Sequence, residues 1–269
     1  NLKLLIYFDV QFCLCLYCSY IEKKIMKTLV IIPSRLSAHR LPGKPLIKIN
    51  GLSIISHVFK KAEEANIGEV IVAAEDQEIV EDIKKNNGQA ILTKNDHKTG
   101  TDRIYEVFQK INTSNIDLVM NLQGDEPLMN IDDIRNLNKQ MIKSASRLGT
   151  LASRIQDKSL LENPNAVKVL TKENLNQTNF PEAKNFMRNI SGEKENVYHH
   201  LGIYCYSKET LKKFVSLNQS ANEIKNKLEQ LRALDNDIKI NVAFAKFAPI
   251  GVDTKEDLEA VKKIMENKS

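Results

Sequence analysis

The chain contains no tryptophan, and among its 269 residues only four are cysteine, seven proline and ten glycine. So few cysteines exclude a disulfide-knotted miniprotein. So little glycine and proline excludes a collagen-like chain, and no long Gly/Ser- or Pro-rich linker divides the sequence. A hydrophobic fraction of 42% excludes a disordered tail protein. Neither sign of charge dominates: 39 Lys and Arg against 34 Asp and Glu leave a net charge of +5. That excess is too small to predict nucleic-acid binding, but it suits an anionic small substrate if the cations cluster. The length fits one large α/β domain or two small ones.

Composition is uneven along the chain. Residues 1–25 hold Cys13, Cys15 and Cys18 and five of the sixteen Tyr and Phe residues. Asp9 interrupts the apolar run, one cation (Lys3) precedes it, and no small-x-small cleavage site follows, so a signal peptide is a poor fit. Asp9, Gln11 and Ser19 make a membrane span marginal. The cysteines have no partnering histidine or second cluster, which excludes a zinc site. The segment reads as an over-extended start before Met26, or else as an anchor or leader, and it is set outside the fold. From Met26 onward Cys205 is the one cysteine, as suits a reducing cytoplasm.

From Thr28 onward, short apolar runs alternate with amphipathic stretches. Strands are expected at Thr28–Ile32, Glu69–Ala74, Ala90–Thr93 and Asp117–Asn121, with helices at Ser53–Ala65, Gln77–Asn86 (stopped near Gly88) and Thr101–Ile111. This βαβαβαβ rhythm implies a parallel sheet with right-handed crossovers. Further on, strands are expected at Thr150–Arg154, Ala166–Leu170, Leu201–Tyr206 and Ile238–Ala245. Helices are expected from Lys208, over Leu228–Leu234, and over Thr254–Glu266, the last capped by Thr254. Lys172–Asn196 is the most polar and least readable stretch. The simplest parse is a single domain over 26–269 with an excursion near 155–200.

In open α/β sheets, ligands bind beyond the carboxyl ends of the strands. The segment after the first strand, Pro33-Ser34-Arg35 through Arg40-Leu41-Pro42-Gly43-Lys44, places three permanent cations beside a Pro-Gly turn, as a polyphosphate requires. It is neither Gly-x-Gly-x-x-Gly, which removes a dehydrogenase reading, nor a Walker loop, because Pro45 follows Lys44. Glu75 and Asp76 follow the second strand, which makes them candidate nucleotide-binding residues, although a helix N-terminus is a good alternative reading. Thr99, Gly100, Thr101 and Arg103 mix hydroxyls, a flexible glycine and a cation at a helix start, which suits anion or base contacts. His97 reads as a surface histidine. Asp125 follows the fourth strand and Asp253 lies near the C-terminus; two carboxylates from separate strand ends can hold Mg²⁺ against phosphates, and each can equally be a helix cap.

Taken together, Ile31-Ile32-Pro33-Ser34-Arg35, Arg40-Leu41-Pro42-Gly43-Lys44-Pro45-Leu46, Asp96-His97 with Thr99-Gly100-Thr101-Asp102-Arg103, Asn121-Leu122-Gln123-Gly124-Asp125-Glu126-Pro127, Asn163 to Lys168, His200-Leu201-Gly202-Ile203-Tyr204, Leu228-Glu229-Gln230-Leu231-Arg232 and Gly251-Val252-Asp253-Thr254 resemble the 3-deoxy-manno-octulosonate (Kdo) cytidylyltransferase family, or CMP-Kdo synthetases. The motifs fall in the family's order and cover nearly all of Met26–Ser269. The resemblance implies a Rossmann-like nucleotidyltransferase fold with a mostly parallel central sheet flanked by helices. It implies transfer of CMP from CTP to Kdo with release of pyrophosphate, for lipopolysaccharide synthesis, by a Mg²⁺-dependent cytoplasmic homodimer without nucleic-acid or stable membrane partners. It assigns the triphosphate to Arg35 and Lys44 with Arg40 in support, Mg²⁺ to Asp125 and Asp253, and the nucleotide to Thr99–Thr101 and Arg103. It assigns the sugar acid to Gln123, His200, Tyr204, Glu229 and Gln230.

One segment departs from the family. Where its members usually carry Tyr-Phe-Ser-Arg, this chain has Asn179-Phe180-Pro181-Glu182. Arg188 is then the candidate replacement cation for the sugar carboxylate, and Glu182 a candidate partner for the ammonium of an 8-amino sugar. A sialate-type acceptor is the competing enzyme reading, and an inactive nucleotide-binding protein the competing non-enzyme one.

Overall fold

The computed structural model describes residues 26–37, 40–111, 113–190 and 195–267, so residues 1–25 and the over-extended start expected there lie outside the described residues. Strand β1 (Thr28–Ser34) leads through a turn at Lys44–Leu46 into the small hairpin of β2 (Lys48–Ile49) and β3 (Leu52–Ser53), then helix α1 (Ile54–Ala65). β4 (Gly68–Ala74), α2 (Gln77–Lys85), β5 (Ala90–Leu92), α3 (Gly100–Lys110) and β6 (Leu118–Asn121) complete the alternating half. Then come α4 (Ile131–Ser144), β7 (Leu148–Ser153), α5 (Ser159–Glu162), β8 (Lys168–Thr171), β9 (Ala183–Met187) and β10 (Val197–Ser207). The chain continues with α6 (Lys208–Ser216), α7 (Ala221–Asn226), α8 (Leu231–Asp235), β11 (Asn241–Ala245) and α9 (Lys255–Glu266).

The sheet order is β11-β7-β10-β6-β1-β4-β5. β1 pairs in parallel with β4 and β6, β4 with β5, and β7 with β11; β10 runs against both β6 and β7. The expected parallel half is therefore present, with one reversed strand. The reversal follows from topology: β10 is reached through the β8–β9 hairpin rather than by a helical crossover, and β8 pairs with its first half.

The apolar run of β1 is buried on both faces, as a central parallel strand requires. Val30 and Ile32 pack with Ile55, Phe59, Ile83 and Leu137 of α1, α2 and α4 on one side. Leu29 and Ile31 pack with Ile104 and Val107 of α3 and Phe214 of α6 on the other. Each such side chain contributes about 1.5–3 kcal/mol by leaving water. A third cluster joins Leu258 and Val261 of α9 to Leu41, Ile49, Ile54 and Val252, which brings the C-terminal helix against the segment after β1.

Several boundaries move. The turn after α2 depends on Asn87, at φ 63°, while the Gly88 N–H donates to Ile83 O at 2.9 Å. Gly88 is needed for space, since a Cβ there would lie 2.8 Å from Phe59 and Ile83. The helix expected over Leu228–Leu234 is confined to Leu231–Asp235. The strand expected from Ile238 starts at Asn241, where its pairing with β7 begins. The unreadable stretch Lys172–Asn196 contains β9. Helix α4 is not among the expected elements, although Ile131, Ile134, Leu137 and Met141 recur at helical spacing after the Asn130 cap.

Candidate active site

The carboxyl ends of β1, β4, β5 and β6 open into a cleft of about 370 Å³, lined by Pro33, Ser34, Arg35, Arg40, Lys44, Thr99, Gly100, Arg103, Gln123, Asp125 and Asp253 among others. The segment after β1 is held at both ends. Leu36 N donates to Asp76 Oδ2 at 2.7 Å, and Gly43 N to Leu36 O at 3.0 Å. Gly43 adopts φ 71°, a left-handed conformation suited to glycine, and so starts the turn that delivers Lys44. Gly124 lets the end of β6 approach β1: a Cβ there would lie 2.9 Å from Pro33 O.

Lys44 is the hub. Its Nζ donates to Asp125 Oδ2 at 2.6 Å, to Asp253 Oδ1 at 2.9 Å and to Val252 O at 2.9 Å. Arg40 reaches the other oxygen of Asp253 at 2.6 Å. Val252 N donates to Asp125 O at 2.8 Å, fastening the two acidic segments together. Asp253 is fixed from behind, because Asp257 accepts from its N–H while forming a capping box with Thr254 at the start of α9. Burial pushes the Lys44 ammonium down, but Asp125 and Asp253 outweigh it and hold its pKa above the ordinary value. Glu126 lies beside this cluster. Burial first, then the charges of Asp125 and Asp253, push its carboxyl up to about 8. Its Oε2 is buried without a hydrogen-bond partner among the described residues.

This arrangement fits a hard divalent cation. Asp125 follows β6, whereas Asp253 does not follow a strand end as expected, since β11 stops at Ala245, and instead directly precedes the Thr254 cap of α9. The two carboxylates converge on one cationic group, here the ammonium, and a third carboxyl with an orphaned oxygen adjoins them. Among the described residues no group of three or more His, Cys, Asp or Glu side chains is placed to hold a metal. Asp125 and Asp253 could offer a pair of ligands, and Mg²⁺ is commonly held by one or two carboxylates with waters and phosphate oxygens.

On the opposite side of the cleft, Arg103 is almost fully buried. Its guanidinium pairs with Glu75 and donates to Thr93 Oγ1 at 2.6 Å and Lys94 O at 3.0 Å. Glu75 and Asp76 are therefore supports: Glu75 neutralises Arg103, and Asp76 anchors Leu36. Thr99 caps α3 through a reciprocal box with Asp102. Thr101 points inward, where its hydroxyl bonds Tyr206 and Glu229. His97, expected at the surface, instead lines the cleft with Lys98, its ring paired with Glu106. Sequence reasoning also misses Glu126; the one signal is its place directly after Asp125.

Deeper along β10 lie the residues assigned to the sugar acid. Gln123 Nε2 donates to Gly202 O at 2.8 Å. His200 is buried against Thr150 Oγ1 at 3.0 Å and meets Phe186 edge-on; burial, then the charge of His199, pushes its pKa down to about 3. Tyr204 packs between His200 and Tyr206 at ring distances of 5.5 and 6.1 Å. Glu229 presents a buried Oε1 with no hydrogen-bond partner among the described residues, and Gln230 is buried next to it. Burial raises the Glu229 carboxyl above the ordinary range, against the hydroxyls of Thr101 and Thr99 and the charge of Arg232.

Two expectations are corrected. Arg188 donates to Asn226 O, Pro164 O and Lys227 O, each at 3.0 Å, so its guanidinium ties the excursion to the turn after α7. Glu182 is already paired with Lys172 and Lys239, which leaves it no role toward an added ammonium.

Solved structures share this architecture. A CMP:2-keto-3-deoxy-manno-octonic acid synthetase complexed with CTP superposes with a TM-score of 0.82 at 34% identity, over 90% of this chain and all of that one. A 4-diphosphocytidyl-2C-methyl-D-erythritol synthase from Anaerococcus prevotii shares the fold alone, with a TM-score of 0.61 at 14% identity over 90% of this chain and 96% of that one. The class is thus an α/β nucleotidyltransferase. A family model described as cytidylyltransferase matches residues 29–240. The 3-deoxy-manno-octulosonate cytidylyltransferase of Rhodopseudomonas palustris strain BisB18 is 40% identical over 247 residues, covering 89% of this chain and 98% of the relative. That of Afipia carboxidovorans is 40% identical over 240 residues, covering 88% and 96%. The chain belongs to the cytidylyltransferase family, among the 3-deoxy-manno-octulosonate cytidylyltransferases.

Proposed function

We propose that this chain transfers CMP from CTP to 3-deoxy-manno-octulosonate, giving CMP-Kdo and pyrophosphate for lipopolysaccharide synthesis. The observation that carries the reading is the cleft itself, lined by Arg35, Arg40 and Lys44, with Lys44 and Arg40 paired to Asp125 and Asp253. The attacking group is the anomeric hydroxyl of the sugar acid. It displaces pyrophosphate in line at the α-phosphorus, and such catalysis consists mostly of positioning and charge neutralisation.

Arg35, Arg40 and Lys44 supply the positive charge along the triphosphate. Lys44 also fixes the separation of Asp125 and Asp253. Arg103, neutralised by Glu75, stiffens the wall on which the Thr99–Thr101 turn meets the nucleotide. Gln123, His200, Tyr204, Glu229 and Gln230 form the sugar side. His200 stays neutral at physiological pH and serves there as a hydrogen-bonding group. Asp125 and Asp253 would hold Mg²⁺, which when bound would supply positive charge against the phosphates and lower the pKa of a hydroxyl beside it. The same reading makes the enzyme a homodimer working in the cytoplasm; a single, buried Cys205 beyond Met26 suits such a reducing compartment. Among the described residues no helix is long and apolar enough to cross a membrane.

The test is pyrophosphate release measured with CTP or UTP against Kdo, 8-amino-Kdo and a sialate. Release with CTP and Kdo in preference to every other pairing supports the proposal; preference for another keto-sugar acid overturns the acceptor.

A further inference from the structure

His97 and Glu106 form a pair to which the reaction so far gives no part. His97 lines the cleft beside Lys98, Thr99, Gly100 and Arg103, whereas Glu106 lies behind it on α3, one turn beyond Arg103. Both side chains are largely buried, 15% exposed for His97 and 13% for Glu106. Glu106 Oε2 meets the His97 ring and accepts from Lys94 N at 3.0 Å, while Oε1 forms an ion pair with Lys110 Nζ at 2.6 Å. Lys110 also donates to Leu92 O at 2.8 Å, fixing the end of β5. The segment from Lys94 to Thr99 is thus tied at its start by Glu106 and Arg103, at its middle by His97, and at its end by the Thr99–Asp102 cap.

The middle tie is the informative one. Without it, four residues between Lys94 and Thr99 would carry no side-chain anchor to α3, and Lys98 to Gly100 would lose a fixed place at the cleft wall. An ionised carboxylate on an imidazole sets which ring nitrogen keeps the proton. With Nε2–H donated to Glu106, a neutral His97 retains Nδ1 as an acceptor.

We propose that Glu106 is a positioning residue for the nucleotide: it clamps His97 and thereby holds the Lys98–Gly100 turn in the orientation that contacts CTP. The inference rests on CTP being the nucleotide substrate. It assigns Glu106 to affinity for the nucleotide and gives it no share in binding the sugar acid or in the chemical step.

The experiment is calorimetric CTP binding with Mg²⁺ present, together with steady-state kinetics, on the full chain and on Glu106→Gln, His97→Ala, His97→Gln and the double variant Glu106→Gln/His97→Ala. We expect Glu106→Gln and His97→Ala each to weaken CTP about tenfold, with kcat and the sugar KM within about twofold. The double variant should be no weaker than either single one, because both break the same link. His97→Gln, which can still donate to Glu106, should recover most of the affinity. Unchanged CTP affinity in Glu106→Gln overturns the proposal. So does a parallel loss in kcat, both KM values and melting temperature, which would mark a merely structural residue. If the wild type binds CTP but releases no pyrophosphate with Kdo, the proposed acceptor fails while the binding data still decide the role of Glu106.

Discussion

The Lys44 ammonium lies 2.6 Å from the Asp125 carboxylate across 81 residues of sequence, and that contact joins the segment after β1 to the end of β6. Asp253 completes the arrangement from the far end of the chain. The cation-rich and acid-rich halves of the site are therefore one hydrogen-bonded unit, and each half depends on the other for its geometry.

Replacing Asp253 with Asn removes a charge while keeping the shape. CMP-sugar formation should fall by more than about a hundredfold, the scale of losing a charge-stabilising group at a reaction centre. Stability should change by less than about 1 kcal/mol, because Asp253 is substantially exposed. Pyrophosphate release and a urea titration measure the two effects; unchanged turnover contradicts the assignment of Asp253.

Glu75→Ala should act differently. It strands the nearly fully buried Arg103 guanidinium without its carboxylate. Breaking a buried pair costs about 3 kcal/mol, so the denaturant midpoint should drop clearly and CTP affinity with it. A midpoint equal to the wild type would show that Thr93 and Lys94 suffice to hold Arg103.

Asp133 provides a pH signature remote from the chemistry. Burial pushes its carboxyl from 3.8 up to about 6, against the backbone N–H of Lys246. Between those values the folded protein keeps a proton that the unfolded chain has released, so this group's contribution to stability is full below about pH 4 and fades as pH rises through 6. Asp133→Asn imitates the protonated form. Its stability relative to wild type should therefore rise by about 2 kcal/mol from pH 4 to pH 7. A flat difference would contradict the assignment.

For His200, whose pKa burial pushes down to about 3, ring-nitrogen chemical shifts should stay those of neutral imidazole from pH 8 down to pH 5. A midpoint near 6.5 would mean that water reaches the ring.

The sequence is informative where local pattern and tertiary role agree. TLVII at the start of β1, the Pro-Gly turn before Lys44, and Thr254 with Asp257 at the start of α9 each carry their own structural cause within a few residues. The cleft residues Arg35, Lys44 and Asp125 are identifiable because they lie on segments that follow strand ends, which an α/β sheet gathers along one edge. Asp253 sits instead just before the Thr254 cap of α9, beyond the end of β11 at Ala245. What stays hidden depends on distant partners. Arg103 reads as a free cation until the fold brings Glu75 beside it. His97 reads as exposed because its counterpart, Glu106, is nine residues on and buried. Arg188 and Glu182 invite roles in substrate binding that their actual partners, three carbonyls and two lysines, rule out. β9 is unreadable because its residues alternate weakly and it gains its partner only through β8.

The most direct test follows the phosphorus. With CTP labelled at the α-phosphate, Mg²⁺ and Kdo, the full chain should transfer the label into a CMP-sugar in step with release of unlabelled pyrophosphate, and omitting Kdo should stop both. Label recovered as free CMP, or pyrophosphate released equally without the sugar acid, would contradict the account.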